Sequence, residues 1–212
     1  MSIIAVIGGT GYAGRHIVAE AADRGHTVLS VARKVAADRV AGVTYVEGTL
    51  LDVPSLLAEL QGVDVVVVAV APRGDMQGLV RPNVEALNNT LPENVRLGVV
   101  GGAGGSLVAP GGPRVVDAGF PEEFKAEALE AIGELEDLQA EQTGRDWFFI
   151  HPAGGFGAWN PGERTGVYRD GGDVIVTDDK GESFISGADL AVAVVDEIEN
   201  PKHSRERFTV GY

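Results

Sequence analysis

The stretch Gly8-Gly9-Thr10-Gly11-Tyr12-Ala13-Gly14 separates an uninterrupted apolar run, Ile3 to Ile7, from a segment with helical periodicity. An apolar strand without alternation is what a parallel sheet covered on both faces requires. The following segment, Tyr12 to about Arg24, puts Ala13, Ile17, Val18 and Ala21 on one face, and Gly25 supplies its stop. What gives the glycines weight is their setting, between a buried strand and an amphipathic helix at the very start of the chain. The first glycine permits a tight exit from the strand, the middle one lets the backbone approach a diphosphate, and the last lets the helix pack on the sheet. Free amide hydrogens at the helix head then face the anion, and the helix dipole adds to their pull. The turn therefore predicts a dinucleotide pyrophosphate held at Gly8 to Gly14, in a Gly8-x-x-Gly11-x-x-Gly14 spacing.

The rest of the first 150 residues alternates strand and helix patterns, which predicts an α/β fold with a Rossmann-type, doubly wound parallel sheet. Strands are predicted at Thr27 to Ala32, Val43 to Glu47, Asp64 to Ala71, Leu97 to Val100 and Trp147 to Ile150. Helices are predicted at Pro54 to Leu60, near Pro82 to Asn88, and over Glu122 to Gln142, where Phe124, Ala128, Ile132 and Leu135 recur with acids between them. Beyond His151 the texture changes. A hairpin is predicted from Gly166–Arg169 and Val174–Thr177 about the turn Asp170-Gly171-Gly172-Asp173. Ser186 caps a further helix, with Asp189 in the capping-box position and Leu190, Ala191, Val194, Val195 and Ile198 as its buried stripe. A last strand runs from Arg207 to Val210. The 212 residues suit one core, so residues 1–212 are expected to form a single domain, with 153–186 partly forming a small C-terminal, substrate-side cap.

A net charge of −14 repels nucleic acid and anionic membranes, so neither is expected as a partner. The absence of cysteine excludes disulfides and thiolate chemistry. The longest apolar run, Val63 to Pro72, is broken by Asp64 and too short to span a bilayer, and no basic segment precedes the first strand. A cytoplasmic location is expected. Many of the 30 glycines fall in clusters, at Gly8 to Gly14, Gly101 to Gly105 and Gly154 to Gly157, which predicts close approach of backbone to a ligand.

An acid at the end of the second strand would hold the 2′-hydroxyl of NAD, but Ala32-Arg33-Lys34 stands there. The Arg33 guanidinium can instead grip a 2′-phosphate with its fork and stack on adenine, so NADP(H) is preferred and NAD(H) is the second choice. Small residues in Ala69-Val70-Ala71-Pro72, Ala71 among them, leave room for ribose and adenine. Ligands of open parallel sheets lie beyond the carboxyl ends of the strands. That position makes Ser106, Lys125 and His151 the catalytic candidates, with Phe156 and Trp159 nearby as stacking surfaces. None of Tyr12, Tyr45, Tyr168 or Tyr212 has a lysine four residues later, and Lys125 has Pro121 where that tyrosine would stand. Alcohol chemistry that needs a lysine-activated phenol is therefore disfavoured. Hydride transfer to a flavin or another conjugated acceptor needs mainly geometry. His16, His26, His151 and His203 lack metal-site spacing, and no Gly-x-Ser-x-Gly elbow occurs.

With these residues in view, the chain resembles the atypical short-chain dehydrogenase/reductase group that includes NADH-flavin reductase-like proteins, related to biliverdin-IXβ reductase. The markers are Gly8 to Gly14, Gly101 to Leu107, Pro161-Gly162-Glu163-Arg164-Thr165-Gly166, Ser186 with Asp189-Leu190-Ala191, and Arg207-Phe208-Thr209-Val210. The resemblance implies NAD(P)H binding through Gly8, Thr10, Gly11, Tyr12 and Ala13, with Arg33 at the adenosine phosphate. It also implies a pocket near Ser106 that accepts FMN, another flavin or a related conjugated small molecule. Two other readings stay open: a non-catalytic redox sensor that binds NADP(H), and a sugar-nucleotide epimerase or dehydratase. A monomer and a homodimer fit the sequence equally.

Overall fold

The computed structural model describes residues 1–35, 37–141 and 143–212. Its strands are β1 (Ile3–Ile7), β2 (Thr27–Ala32), β3 (Val43–Glu47), β4 (Val65–Val68), β5 (Arg96–Val100), β6 (Trp147–Pro152), β7 (Arg169–Asp170) and β8 (Glu206–Gly211). The helices are α1 (Tyr12–Asp23), α2 (Val53–Glu59), α3 (Val80–Thr90), α4 (Glu122–Ala140) and α5 (Gly187–Glu199). The expected end of α4 at Gln142 lies outside the described residues. One sheet holds all eight strands in the order β3-β2-β1-β4-β5-β6-β8-β7. Every neighbouring pair is parallel except β7 with β8. The order reverses direction between β1 and β4, the point where an open α/β sheet leaves a crevice at its carboxyl edge.

Alternation along each central strand feeds two separate cores. Ala5, Ile7, Val66 and Val68 pack with α2, α3 and α4 residues such as Leu56, Val84 and Leu135. Ile4, Val6, Val65 and Val67 face the opposite way, onto Ile17 and Val18 of α1 and Leu190 and Val194 of α5. Both faces are thus covered, which is why β1 and β4 read as unbroken apolar runs rather than as alternating ones.

Several expectations are corrected. The strand expected over Asp64 to Ala71 stops at Val68, because β1 ends at Ile7 and the Ala69 amide makes the last bond, to the Ile7 carbonyl (2.8 Å). Beyond that point the two chains part, and the gap is the crevice. The expected hairpin between 166–169 and 174–177 does not form. Arg169 and Asp170 pair instead with Gly211 and Val210 of β8, while Val174 bridges to Leu107. The exposed outer edge of β8 offers an open ladder of backbone groups, and it captures that segment. In α4, Phe124 is 52% exposed although it shares the apolar spacing, and the acid Glu134 is buried. Ser186 does cap α5, accepting from the Asp189 amide at 3.0 Å, but the Asp189 carboxylate turns away from the reciprocal capping bond. It accepts instead from the amides of Thr165 and Gly166, both at 2.8 Å, and from the Tyr212 hydroxyl. Burial pushes the Asp189 carboxyl up, but those bonds outweigh it and hold it below the ordinary carboxylate range.

Candidate functional site

The crevice opens where β1 and β4 separate. Its floor is the turn between β1 and α1. The Gly8 and Gly9 amides both bond the Val31 carbonyl of β2 (2.8 and 3.1 Å), and the Gly11 amide bonds the Gly8 carbonyl (2.9 Å). Gly8 sits at φ +84°, and a side chain there would place its Cβ 2.5 Å from the Ala69 carbonyl oxygen. A Cβ on Gly14 would lie 2.1 Å from the Gly8 carbonyl oxygen, so the turn and the first turn of α1 touch backbone to backbone. Gly11 caps α1 without a side-chain bond. The amides of Thr10, Tyr12, Ala13 and Gly14 have no acceptor among the described residues. Helix-head amides left open in this way are built to receive an anion.

Above the turn lies a cavity of about 720 Å³, within the range of small-molecule sites. Gly8, Thr10 and Gly11 line it from the turn, Ala32, Arg33 and Lys34 from the end of β2, Gly48, Thr49 and Leu50 from beyond β3, and Ala69, Val70, Ala71, Arg73, Asp75 and Met76 from beyond β4. Three cations and one acid line this groove in a protein of net charge −14, so its lining carries a local excess of positive charge. A diphosphate fits this chemistry: glycine backbone at contact distance, open amides, and cations at the rim.

The sequence candidates fall into three groups. Gly8, Thr10, Gly11, Arg33 and Ala71 line the cavity together. Tyr12 and Ala13 belong to the same helix head, but their side chains do not line it. The Tyr12 hydroxyl donates to the Pro161 carbonyl and accepts from the Gly187 amide (both 3.1 Å), and its ring meets Phe156 at 5.2 Å, tying the C-terminal segment to the turn. The third group, Ser106, Lys125 and His151, does not line the groove. Ser106 is fully buried, and its hydroxyl has no partner among the described residues. His151, also buried, donates from Nδ1 to the Gly102 carbonyl (2.7 Å), while Nε2 has no partner among the described residues. Burial brings its pKa down to about 4, so the ring is neutral near pH 7. Lys125 lies on the outside of α4 beside Glu122 (3.5 Å).

In the other two glycine clusters, several glycines lie tight against neighbouring side chains. A Cβ on Gly101 would lie 2.1 Å from the Phe149 ring, one on Gly105 2.6 Å from His151, and one on Gly157 2.4 Å from Trp159. Their close approach is to neighbouring side chains, and only the Gly8 to Gly14 cluster faces the groove. Sequence reasoning missed Gly48, Thr49, Arg73 and Asp75. Each follows the carboxyl end of β3 or β4, so the rule that ligands lie beyond strand ends was the signal that could have found them. Among the described residues no group of three or more His, Asp or Glu side chains could hold a metal ion, and no helix is long and apolar enough to cross a membrane.

Residues 8–201 match a family described as NAD(P)H-binding. The uncharacterized protein YwnB of Bacillus subtilis is 38% identical over 212 residues, covering 98% of this chain and 97% of that one. A Streptococcus pneumoniae crystal structure called a "putative NADH-flavin reductase" superposes with a TM-score of 0.86 at 33% identity, over 100% of this chain and 99% of the other. A Bacteroides thetaiotaomicron structure called a "putative epimerase" gives a TM-score of 0.87 at 32% identity, over 100% and 97%.

Proposed function

The chain belongs to the NAD(P)H-binding family, and from that premise we propose that it is a cytoplasmic reductase of flavins or related conjugated small molecules. The observation that carries this reading is the groove itself: open amides at the head of α1 under a cavity of about 720 Å³ rimmed by Arg33, Lys34 and Arg73. Thr10, Tyr12, Ala13 and Gly14 would hold the diphosphate through their amides. Ala69, Val70 and Ala71 leave space for a ribose and base. Arg33 and Lys34 favour NADP(H) over NAD(H). When bound, the reduced nicotinamide supplies the hydride.

The chain's part is to fix the reacting ring and shape the acceptor's approach. No tyrosine–lysine pair with the expected spacing exists, and Ser106 and His151 are sealed from the groove, so direct transfer without a strong side-chain acid suits the site. The same point weighs against epimerase chemistry, despite the name of the Bacteroides protein. The test is NADPH oxidation by the purified protein with FMN, riboflavin and a panel of quinones. Turnover with at least one acceptor supports the reading. Tight coenzyme binding without turnover across the panel would replace it with the sensor reading.

A further inference from the structure

We propose that Asp75 is a specificity residue at the adenosine end of the groove, one that opposes binding of a 2′-phosphate by engaging the Arg33 guanidinium. This rests on the groove being the coenzyme site. The end of β2 offers no acid to a ribose, yet the structure brings one there from the loop after β4. Arg33 follows the last residue of β2, Asp75 lies in a short 3-10 turn, Gly74–Met76, and the two side chains form an ion pair. β2 and β4 flank β1, and Arg33 and Asp75 line the same cavity as Gly8 at the end of β1.

The acid is held in place. Gly74 adopts φ +59°, Met76 is buried in the core shared with α3, and the Met76 amide bonds the Arg73 carbonyl (3.1 Å). The carboxylate is therefore carried on an anchored turn. The pair itself is readily broken, since the Arg33 and Asp75 side chains are 56% and 70% exposed. The other arginine of the groove, Arg73, is similarly engaged, with Glu127 (2.7 Å). Lys34 lines the same groove as its third cation.

The two coenzymes meet this arrangement differently. A 2′-phosphate needs the Arg33 fork, so it must displace Asp75 and then sit beside its negative charge. A 2′-hydroxyl is a hydrogen-bond donor and can bond to Asp75 with the ion pair intact. Arg33 thus favours the phosphorylated coenzyme, Asp75 favours the unphosphorylated one, and their pairing narrows the difference between them. Selectivity is set by two residues that are 42 positions apart in sequence.

Isothermal titration of wild type, Asp75→Asn and Asp75→Ser with NADPH and with NADH, at low ionic strength, tests this. Loss of the carboxylate should tighten NADPH about threefold to tenfold and leave NADH unchanged or up to about threefold weaker. The melting temperature of each variant reports whether the turn survives, and Ser serves if Asn disturbs it. If both coenzymes bind wild type and the variants shift them by the same factor, or fail to tighten NADPH, the role of Asp75 is refuted while the groove assignment stands. If wild type binds neither coenzyme, the groove assignment fails and this inference fails with it.

Discussion

Glu134 lies in the middle of α4 with 2% of its surface exposed, beside a cavity of about 200 Å³ between α3 and α4. Its Oε1 has no hydrogen-bond partner among the described residues. Burial, with Glu130 and Asp137 adding to it and Arg81 opposing, pushes its pKa from the ordinary 4.5 up to about 8. Glu85 and Glu141 line the same cavity and keep its surroundings acidic. In the unfolded chain the carboxyl loses its proton near pH 4.5, whereas the folded protein retains it until about pH 8. Between those values the native state binds one more proton than the unfolded state, so stability falls as pH rises and levels off above pH 8. At about 1.4 kcal/mol for each pH unit, the loss reaches about 3 kcal/mol at pH 7 and about 5 kcal/mol above pH 8. Glu134→Gln keeps the neutral shape and removes that loss. The variant should match wild type near pH 4.5 and exceed it by about 3 kcal/mol at pH 7, melting about 6–12 °C higher. Urea unfolding followed by tryptophan emission from pH 5 to 9 measures the difference, with the buried Trp147 as reporter. A difference that stays flat across this range, or a variant less stable at pH 7, would refute the reasoning.

Three further outcomes follow from named contacts. Gly14→Ala should weaken NADH and NADPH equally, by about tenfold or more, because its Cβ would lie 2.1 Å from the Gly8 carbonyl oxygen and force the turn open; unchanged titration of either coenzyme would contradict it. Arg33→Ala should weaken NADPH about tenfold and NADH little, and equal loss for both would overturn the coenzyme preference. Arg145→Ala should cost about 2–4 kcal/mol in urea unfolding, since its guanidinium serves the Asn88, Leu91, Pro92 and Val95 carbonyls around the end of α3, and a neutral effect would mean that water replaces it freely.

The fold was readable in particular places for particular reasons. β1, β2 and β3 match their expected spans, and α1 ends one residue before the expected Arg24, because a buried parallel strand and an amphipathic helix each impose a period that sequence displays directly. Gly25, at φ +82°, stops α1 as its identity suggests. The segment 166–177 was misread because a turn signal is local, whereas its partner, β8, arrives about 40 residues later. Lys125 was singled out by its place beyond a strand, but helical phase turns it to the outside of α4. Ser106 and His151 stand beyond the expected strand ends, yet they close onto the protein rather than onto the groove.

Sequence alone determined the doubly wound architecture and the place of the dinucleotide turn, because periodicity, glycine geometry and strand composition are properties of neighbours along the chain. Tertiary structure decided which charges share a space: Asp75 with Arg33 in the groove, Glu130 of α4 with the Gly78, Val80 and Arg81 amides at the head of α3, and Glu134 almost wholly buried in α4. Electrostatic energy depends on distance and solvent exposure through space, and neither is written in the spacing of residues along the chain.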